Sequence, residues 1–145
     1  MTGFEIGRDG PSRILVCIDG TPTAMRAGAY AAGLARRQRS DLVVAYVASE
    51  LALTGMAPQL IGAMQDALES LTEQLRIEVT TSPEYAGARF VAAHGDPFGE
   101  ICRIATEQRV DAVVVGASAQ AGHRLVGSLA VRLVRAGKWP VTVVP

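Results

Sequence analysis

The chain has few cysteines, and they form no recognisable site. Its 145 residues include only 2 cysteines, Cys17 and Cys102, and each lies in an apolar run. The sequence contains no CxxC motif and no Cys/His cluster. This pattern favours two buried free thiols in a reducing compartment over a disulfide or a metal site.

The chain also lacks net charge and any long hydrophobic run. Its 14 basic residues balance its 14 acidic residues, so we expect no attraction to nucleic acid or to an anionic membrane. No apolar stretch approaches the roughly 20 residues that span a bilayer. Residues 1–11 are polar and lack the apolar core of a signal peptide. We therefore expect a cytoplasmic protein with a flexible N-terminal segment and no nucleic-acid or membrane partner.

Five short apolar runs are present, and each is predicted to be a strand. They are rich in β-branched residues and apolar on both faces, as are strands that are covered on both sides. Stripes with the spacing of a helix separate them. The length suits a single domain over residues 1–145. The runs cover residues 14–18, 42–47, 89–93, 112–115 and 141–144.

The order of these elements, βαβαβαβαβ, predicts a parallel sheet with right-handed crossovers. The first helical stripe is made of small residues, which predict that this helix approaches the sheet closely: Ala27, Gly28, Ala31, Ala32 and Gly33. Two helix starts are marked by a capping residue before a proline, at Thr21-Pro22 and at Asp96-Pro97.

Three predicted loops lie where a ligand is expected. Ligands of open parallel sheets bind at the carboxyl ends of the strands, where the strand order reverses. The loops there are residues 19–22, the segment from Ala48 onward, and residues 116–128. The third loop contains three glycines, two serines and an arginine. Backbone amides beside glycine can approach a phosphate, but tight turns also need glycine, so both explanations stand.

Several polar residues near these loops have a functional and a structural interpretation. Asp19 could accept a hydrogen bond from a ribose hydroxyl or hold a metal ion, or it could start a turn through Gly20. Arg124 is a candidate contact for an anion. His94 is interpreted as a turn histidine and His123 as an exposed one.

No catalytic arrangement is recognisable in the sequence. It contains no GxSxG motif, no P-loop with its lysine, and no Ser/His/Asp order that fits the predicted strand ends. We therefore assign no catalytic or metal-binding residue and expect slow hydrolytic activity at most.

Segments along nearly the whole chain resemble, in order, the universal stress protein family. The first strand with Asp19-Gly20-Thr21 is similar to the family's opening strand and its Asp-Gly-Ser or Asp-Gly-Thr sequence. Residues 94–97 are similar to a strand-to-helix turn of the family. Residues 113–118, 127–130 and 139–144 resemble its fourth strand, last helix and last strand.

The resemblance implies a three-layer α/β sandwich of the adenine nucleotide alpha-hydrolase-like type. Its five-stranded parallel sheet is expected to have the order 3-2-1-4-5, with two helices on each face.

The family's nucleotide motif is only partly present. Nucleotide-binding members carry Gly, two residues, Gly, nine residues, and then Gly-Ser or Gly-Thr. Gly116 matches the first glycine and Gly127-Ser128 match the last pair, but Ala119 occupies the middle position. Seven residues separate Ala119 from Gly127, so the loop is two residues shorter. The added methyl group and the shorter loop both leave less room for a triphosphate.

The resemblance also implies a function and an assembly. We expect a small cytosolic homodimer that acts in stress adaptation and pairs through its C-terminal strand. ATP or another adenine nucleotide is the implied cofactor, with its adenine and ribose near Asp19 and Val47. The alternative is a module of the same fold that binds proteins without nucleotide, and the short loop favours it. The implied site comprises Asp19, Val47, Gly116, Ser118, Arg124, Gly127 and Ser128.

Overall fold

The computed structural model of the protein describes residues 10–49, 53–120, 123–125 and 127–145. The expected flexible segment therefore lies almost entirely outside the described residues. No helix within these ranges is long and apolar enough to span a membrane. The strands are β1 (Arg13–Cys17), β2 (Asp41–Ala48), β3 (Arg89–His94), β4 (Ala112–Gly116), β5 (Ser118–Gln120), β6 (His123–Leu125) and β7 (Val141–Val144). The helices are α1 (Pro22–Gln38), α2 (Pro58–Thr81), α3 (Pro97–Glu107) and α4 (Ser128–Ala136).

Five of the strands form one parallel sheet in the order β3-β2-β1-β4-β7. Since β7 is the fifth strand expected from the sequence, the predicted order 3-2-1-4-5 is confirmed. Leu15 in the central strand pairs in register with Val43 on one side and with Val113 on the other. The strands that follow β1 in the chain are therefore added first on one side of it, as β2 and β3, and then on the other side, as β4 and β7.

Alternate residues of the central strand face opposite helical layers. Ile14 and Val16 pack in the core beneath α1 and α2, whereas Leu15 packs in the core beneath α3 and α4. All three side chains are 0% exposed, which explains why the strand is apolar at every position. The structure confirms two helices on each face of the sheet.

The start of each capped helix matches its sequence signal. The Thr21 side chain accepts a hydrogen bond from the amide of Ala24, and Pro22 begins α1. The Asp96 side chain accepts a 2.9 Å hydrogen bond from the amide of Gly99, and Pro97 begins α3. Both caps satisfy an amide that the first turn of a helix leaves without a partner.

A short antiparallel hairpin interrupts the segment that was expected to be a loop. Strands β5 and β6 pair with each other, with Ala119 opposite Arg124, and form a sheet separate from the main one. Each strand is only three residues long, which is too short to show the alternation that identifies a strand in a sequence.

Helix α1 lies close to the 3-10 turn Pro83–Tyr85 because Gly28 has no side chain. A Cβ atom at Gly28 would lie 2.3 Å from the hydroxyl oxygen of Tyr85 and 3.3 Å from a methyl carbon of Ile18. Tyr85 is only 3% exposed, so the ring has little room to move aside. The small residues of the first stripe therefore set the distance between α1 and its neighbours.

We predict that Gly28→Ala destabilises the protein by about 1–3 kcal/mol, because the buried Tyr85 must shift. The direction of this change in stability is informative, since alanine normally stabilises a helix interior relative to glycine by about 1 kcal/mol. Gly62→Ala in α2 is the matched control, because no atom lies within 4 Å of its added Cβ. Urea denaturation measures both changes. Stabilisation by both substitutions would show that Tyr85 does not constrain α1.

Candidate functional site

A cleft of about 660 Å³ opens at the carboxyl edge of the sheet, beside the ends of β1 and β4. This is the point where the strand order reverses, and we call it the β1–β4 cleft. Residues of three helices and four strands, with the turns beside them, line it. They are Cys17, Ile18, Asp19, Thr21, Pro22, Thr23, Ala24, Arg26, Val47, Pro97, Ile101, Val115, Gly116, Ala117, Ser118 and Leu129.

Asp19 both shapes the turn after β1 and faces the cleft. Its Oδ1 atom accepts hydrogen bonds from the amide of Thr21 at 2.9 Å and from the Thr21 hydroxyl at 2.5 Å. Gly20 between them has a φ of 82°, a left-handed conformation that favours glycine. The turn interpretation of Asp19 is thus confirmed. Within the described part of the chain, Oδ2 makes no hydrogen bond with protein.

Gly116 permits the end of β4 to touch the first turn of α1. A Cβ atom at this position would lie 2.7 Å from the backbone carbon of Thr23 and 2.7 Å from the backbone nitrogen of Ala24. Backbone atoms of a helix cannot move aside as a flexible side chain can. Close packing therefore requires glycine here, whether or not a phosphate lies nearby.

The structure brings Ser118 and Gly127 together across the base of the hairpin. A Cβ atom at Gly127 would lie 3.2 Å from the Cβ of Ser118. Gly127 is the N-cap residue of α4 and makes no side-chain hydrogen bond to the amides of the first turn, which begins at Ser128. Neither Gly127 nor Ser128 lines the cleft. Gly127 lies next to the lining residue Ser118, and Ser128 directly precedes the lining residue Leu129 in the chain.

Arg124 lies in β6, where it pairs in register with Ala119. Its side chain lies outside the described residues, so its expected contact with an anion stays a prediction. Val47, in contrast, lies near the end of β2 and lines the cleft with Asp19, whereas its expected contact with adenine stays a prediction.

Three helices begin at the cleft. Pro22 of α1, Pro97 of α3 and Leu129 of α4 all belong to first turns, and all line it. The N-terminal end of a helix carries a partial positive charge, so this edge of the protein favours an anion.

The lining contains one residue of each charge, Asp19 and Arg26, among mostly apolar side chains. Sequence reasoning missed Arg26. The spacing along the predicted helix indicated its position. Arg26 follows Pro22 by four residues and Thr23 by three, and residues so spaced lie on one face of a helix. No group of three or more metal-ligating side chains lies together in the described ranges, so Asp19 has no partners there for holding a metal ion.

The sequence profile of the Universal stress protein family matches residues 11–145. The chain belongs to the universal stress protein family. The resemblance seen in the sequence is thereby confirmed over nearly the whole chain. Comparison with curated protein sequences gives no match.

Solved structures of universal stress proteins share the fold. UspA from Lactobacillus plantarum is 22% identical, with 92% of this chain and 97% of that chain covered and a TM-score of 0.73. A family protein from Arabidopsis thaliana with AMP bound is 18% identical, with coverage of 92% and 91% and a TM-score of 0.65. A universal stress protein in complex with cAMP is 21% identical, with coverage of 92% and 96% and a TM-score of 0.57.

Both cysteines of this universal stress protein are free thiols, as expected, although each is half-buried rather than fully buried. Burial, together with the smaller effect of the negative charge of Asp19, raises the pKa of Cys17 from 9.0 to about 12. Burial and Asp19 also raise the pKa of Tyr46, on the neighbouring strand. The Asp19 carboxylate thus imposes a negative potential on the ends of β1 and β2.

We predict that the Cys17 thiol reacts at least about tenfold more slowly with iodoacetamide in the folded protein than in urea, at about pH 9. The thiolate is the reactive form, and the raised pKa suppresses it. A Cys102→Ala background isolates the reaction of Cys17. Since the unfolded chain releases this proton first, stability should also fall as the pH rises from about 9 toward 12. Equal rates in both states would contradict the prediction.

Proposed function

We propose that this universal stress protein binds an adenine nucleotide in the β1–β4 cleft. The observation that carries the proposal is the position of the cleft at the strand-order reversal, where open α/β sheets bind their ligands. Its volume of about 660 Å³ falls within the roughly 300–1,000 Å³ of small-molecule sites. The expected site residues Asp19, Val47, Gly116 and Ser118 line it together.

The chemistry of the lining supports a nucleoside on the β1–β2 side of the cleft. Ile18 and Val47 offer apolar surface for an adenine ring there. The free Oδ2 of Asp19 can accept a hydrogen bond from a ribose hydroxyl, while Oδ1 remains bonded to Thr21. The carboxylate is already fixed by the turn, so the ligand need not order it.

The phosphates are proposed to lie on the β4–α4 side. Ser118 offers a hydroxyl, and the first turn of α4 offers amides that no side chain caps. Such amides at a helix N-terminus suit an anion. The short loop with Ala119 in the middle position favours few phosphates, so AMP is the first ligand to test, with ATP beside it.

The solved relatives support the same ligand class. The Arabidopsis thaliana family protein has AMP bound, and another universal stress protein was solved with cAMP. Each of these ligands joins one adenosine to one phosphate group. For this chain we propose a role in stress adaptation in the cytoplasm, and its two free thiols support a reducing compartment.

Isothermal titration calorimetry with AMP and ATP tests the proposal. The wild-type protein is expected to bind, and Gly127→Val is expected to weaken binding by at least about tenfold. A Cβ at position 127 would already lie 3.2 Å from the Cβ of Ser118, so the larger side chain of valine separates the hairpin from α4. Gly62→Val is the matched control on open surface of α2.

Two outcomes of this titration contradict the proposal in different ways. Binding unchanged by Gly127→Val would remove the hairpin and α4 from the site. No binding of either nucleotide to the wild-type protein would favour the alternative function, a module that binds proteins without nucleotide. The shortened glycine loop is the feature that favours this alternative.

We also propose that the protein is a homodimer that pairs through β7. This strand lies at the edge of the sheet. The carbonyls of Pro140 and Val144 accept hydrogen bonds from the amides of Val113 and Ala117, at 3.0 and 2.7 Å. Because alternate backbone groups of a strand point in opposite directions, those of Val143 face away from β4 and are available to a second strand.

Val143→Pro is predicted to convert the dimer to a monomer, because proline removes the outward N–H group. Val143 packs against the core beneath α3 and α4, so the substitution must be compared with a variant that also loses packing. Val143→Ala is that control, since it keeps the N–H group and should stay dimeric. Light scattering at micromolar concentration measures the mass. A monomeric wild type, or a dimeric Val143→Pro protein, would exclude the edge as the interface.

A further inference from the structure

Arg26 is the only cationic residue among the described residues that line the β1–β4 cleft. It lies just beyond the first turn of α1, and its side chain is exposed. The same lining contains the carboxylate of Asp19. Without Arg26, the side chains that line the cleft would carry a net negative charge, which opposes the binding of a phosphate.

The side chain of Arg26 is held in one direction by a backbone contact. Its Nε atom donates a 3.0 Å hydrogen bond to the carbonyl oxygen of Pro145. Pro145 follows β7, the strand beside β4. The guanidinium is thereby anchored on the β4–β7 side of α1, the side on which the proposed phosphates lie.

The anchoring bond uses one of the five N–H donors of the guanidinium. Within the described part of the chain, the two terminal nitrogens make no hydrogen bond, and no Asp or Glu side chain forms an ion pair with Arg26. These nitrogens form the edge that binds two oxygens of a phosphate at once. The contact with Pro145 leaves this edge free and fixes its orientation.

Arg132, another arginine near this end of the sheet, is engaged elsewhere. It forms an ion pair with Asp96 at 3.7 Å and lies 4.2 Å above the ring of Phe98. Both contacts would be lost if it turned to a ligand. No Asp or Glu side chain of the described residues competes in this way for Arg26.

We propose that Arg26 binds the phosphate group of the nucleotide and makes the site selective for nucleotides over the uncharged nucleoside. This rests on the proposed function. The positive charge of Arg26 replaces phosphate contacts that backbone amides of the shortened loop, with Ala119 in its middle position, do not provide. The carbonyl of Pro145 acts as a positioning group for the guanidinium.

The test is calorimetric titration of AMP and of adenosine into four proteins: the wild type, Arg26→Gln, Arg26→Lys and Arg37→Gln. Arg26→Gln is expected to weaken AMP binding about ten- to a hundredfold, the range for a hydrogen bond to a charged group, and to change adenosine binding less than about twofold. Arg26→Lys keeps the charge without the paired donors, so its affinity should be intermediate. Arg37→Gln removes an exposed α1 arginine that does not line the cleft, and should leave both affinities unchanged.

Ionic strength gives an independent readout. Added salt should weaken AMP binding to the wild type more than to Arg26→Gln, because screening acts on the pair of charges that the variant lacks. Thermal unfolding of each protein shows that the variants are folded.

The outcomes separate this inference from the proposed function. Equal AMP affinity of the wild type and Arg26→Gln overturns the role of Arg26 while nucleotide binding stands. An equal loss of adenosine and AMP binding in Arg26→Gln also overturns it, because the phosphate is then not what Arg26 binds. A wild type that binds neither ligand contradicts the proposed function itself.

Discussion

The contact between the end of β4 and the first turn of α1 is the constraint on which the site depends. With no side chain at Gly116, the backbone of Thr23 and Ala24 approaches to a distance at which a Cβ would lie only 2.7 Å away. This contact places the start of α1 directly over the point where the strand order reverses. A residue with a side chain would displace the helix, and with it both Asp19 in the preceding turn and Arg26 just beyond the first turn.

The same residues hold the fold together and form the cleft. One carboxylate oxygen of Asp19 closes the turn before α1 by accepting hydrogen bonds from Thr21. The side chain of Thr21 in turn caps the helix. A substitution at Asp19 therefore changes the turn, the cap and the cleft together. A functional test is cleaner at Arg26, whose exposed side chain neither closes this turn nor caps the helix.

The sequence predicted the features that repeat or that depend on near neighbours. The five parallel strands follow from apolar runs, and the caps at Thr21 and Asp96 follow from the residue before a proline. The hairpin was missed because three-residue strands have no detectable period. The helix face of Arg26 could be predicted, but the direction of its side chain could not, because its partner, Pro145, lies 119 residues along the chain. Such contacts exist only once the sheet has brought β7 beside β4.

The charges of Asp19 and Arg26 make the two sides of the cleft electrostatically different. Asp19 raises the pKa of Cys17 and of Tyr46, so its negative potential extends over the ends of β1 and β2. Arg26 is anchored to Pro145 and places its positive charge toward β4 and β7. A ligand with one neutral and one anionic end lowers its electrostatic energy in only one of two orientations, with its anionic end away from Asp19. For a nucleotide bound as proposed, the two charges therefore favour the orientation with the phosphate toward Arg26 and away from Asp19.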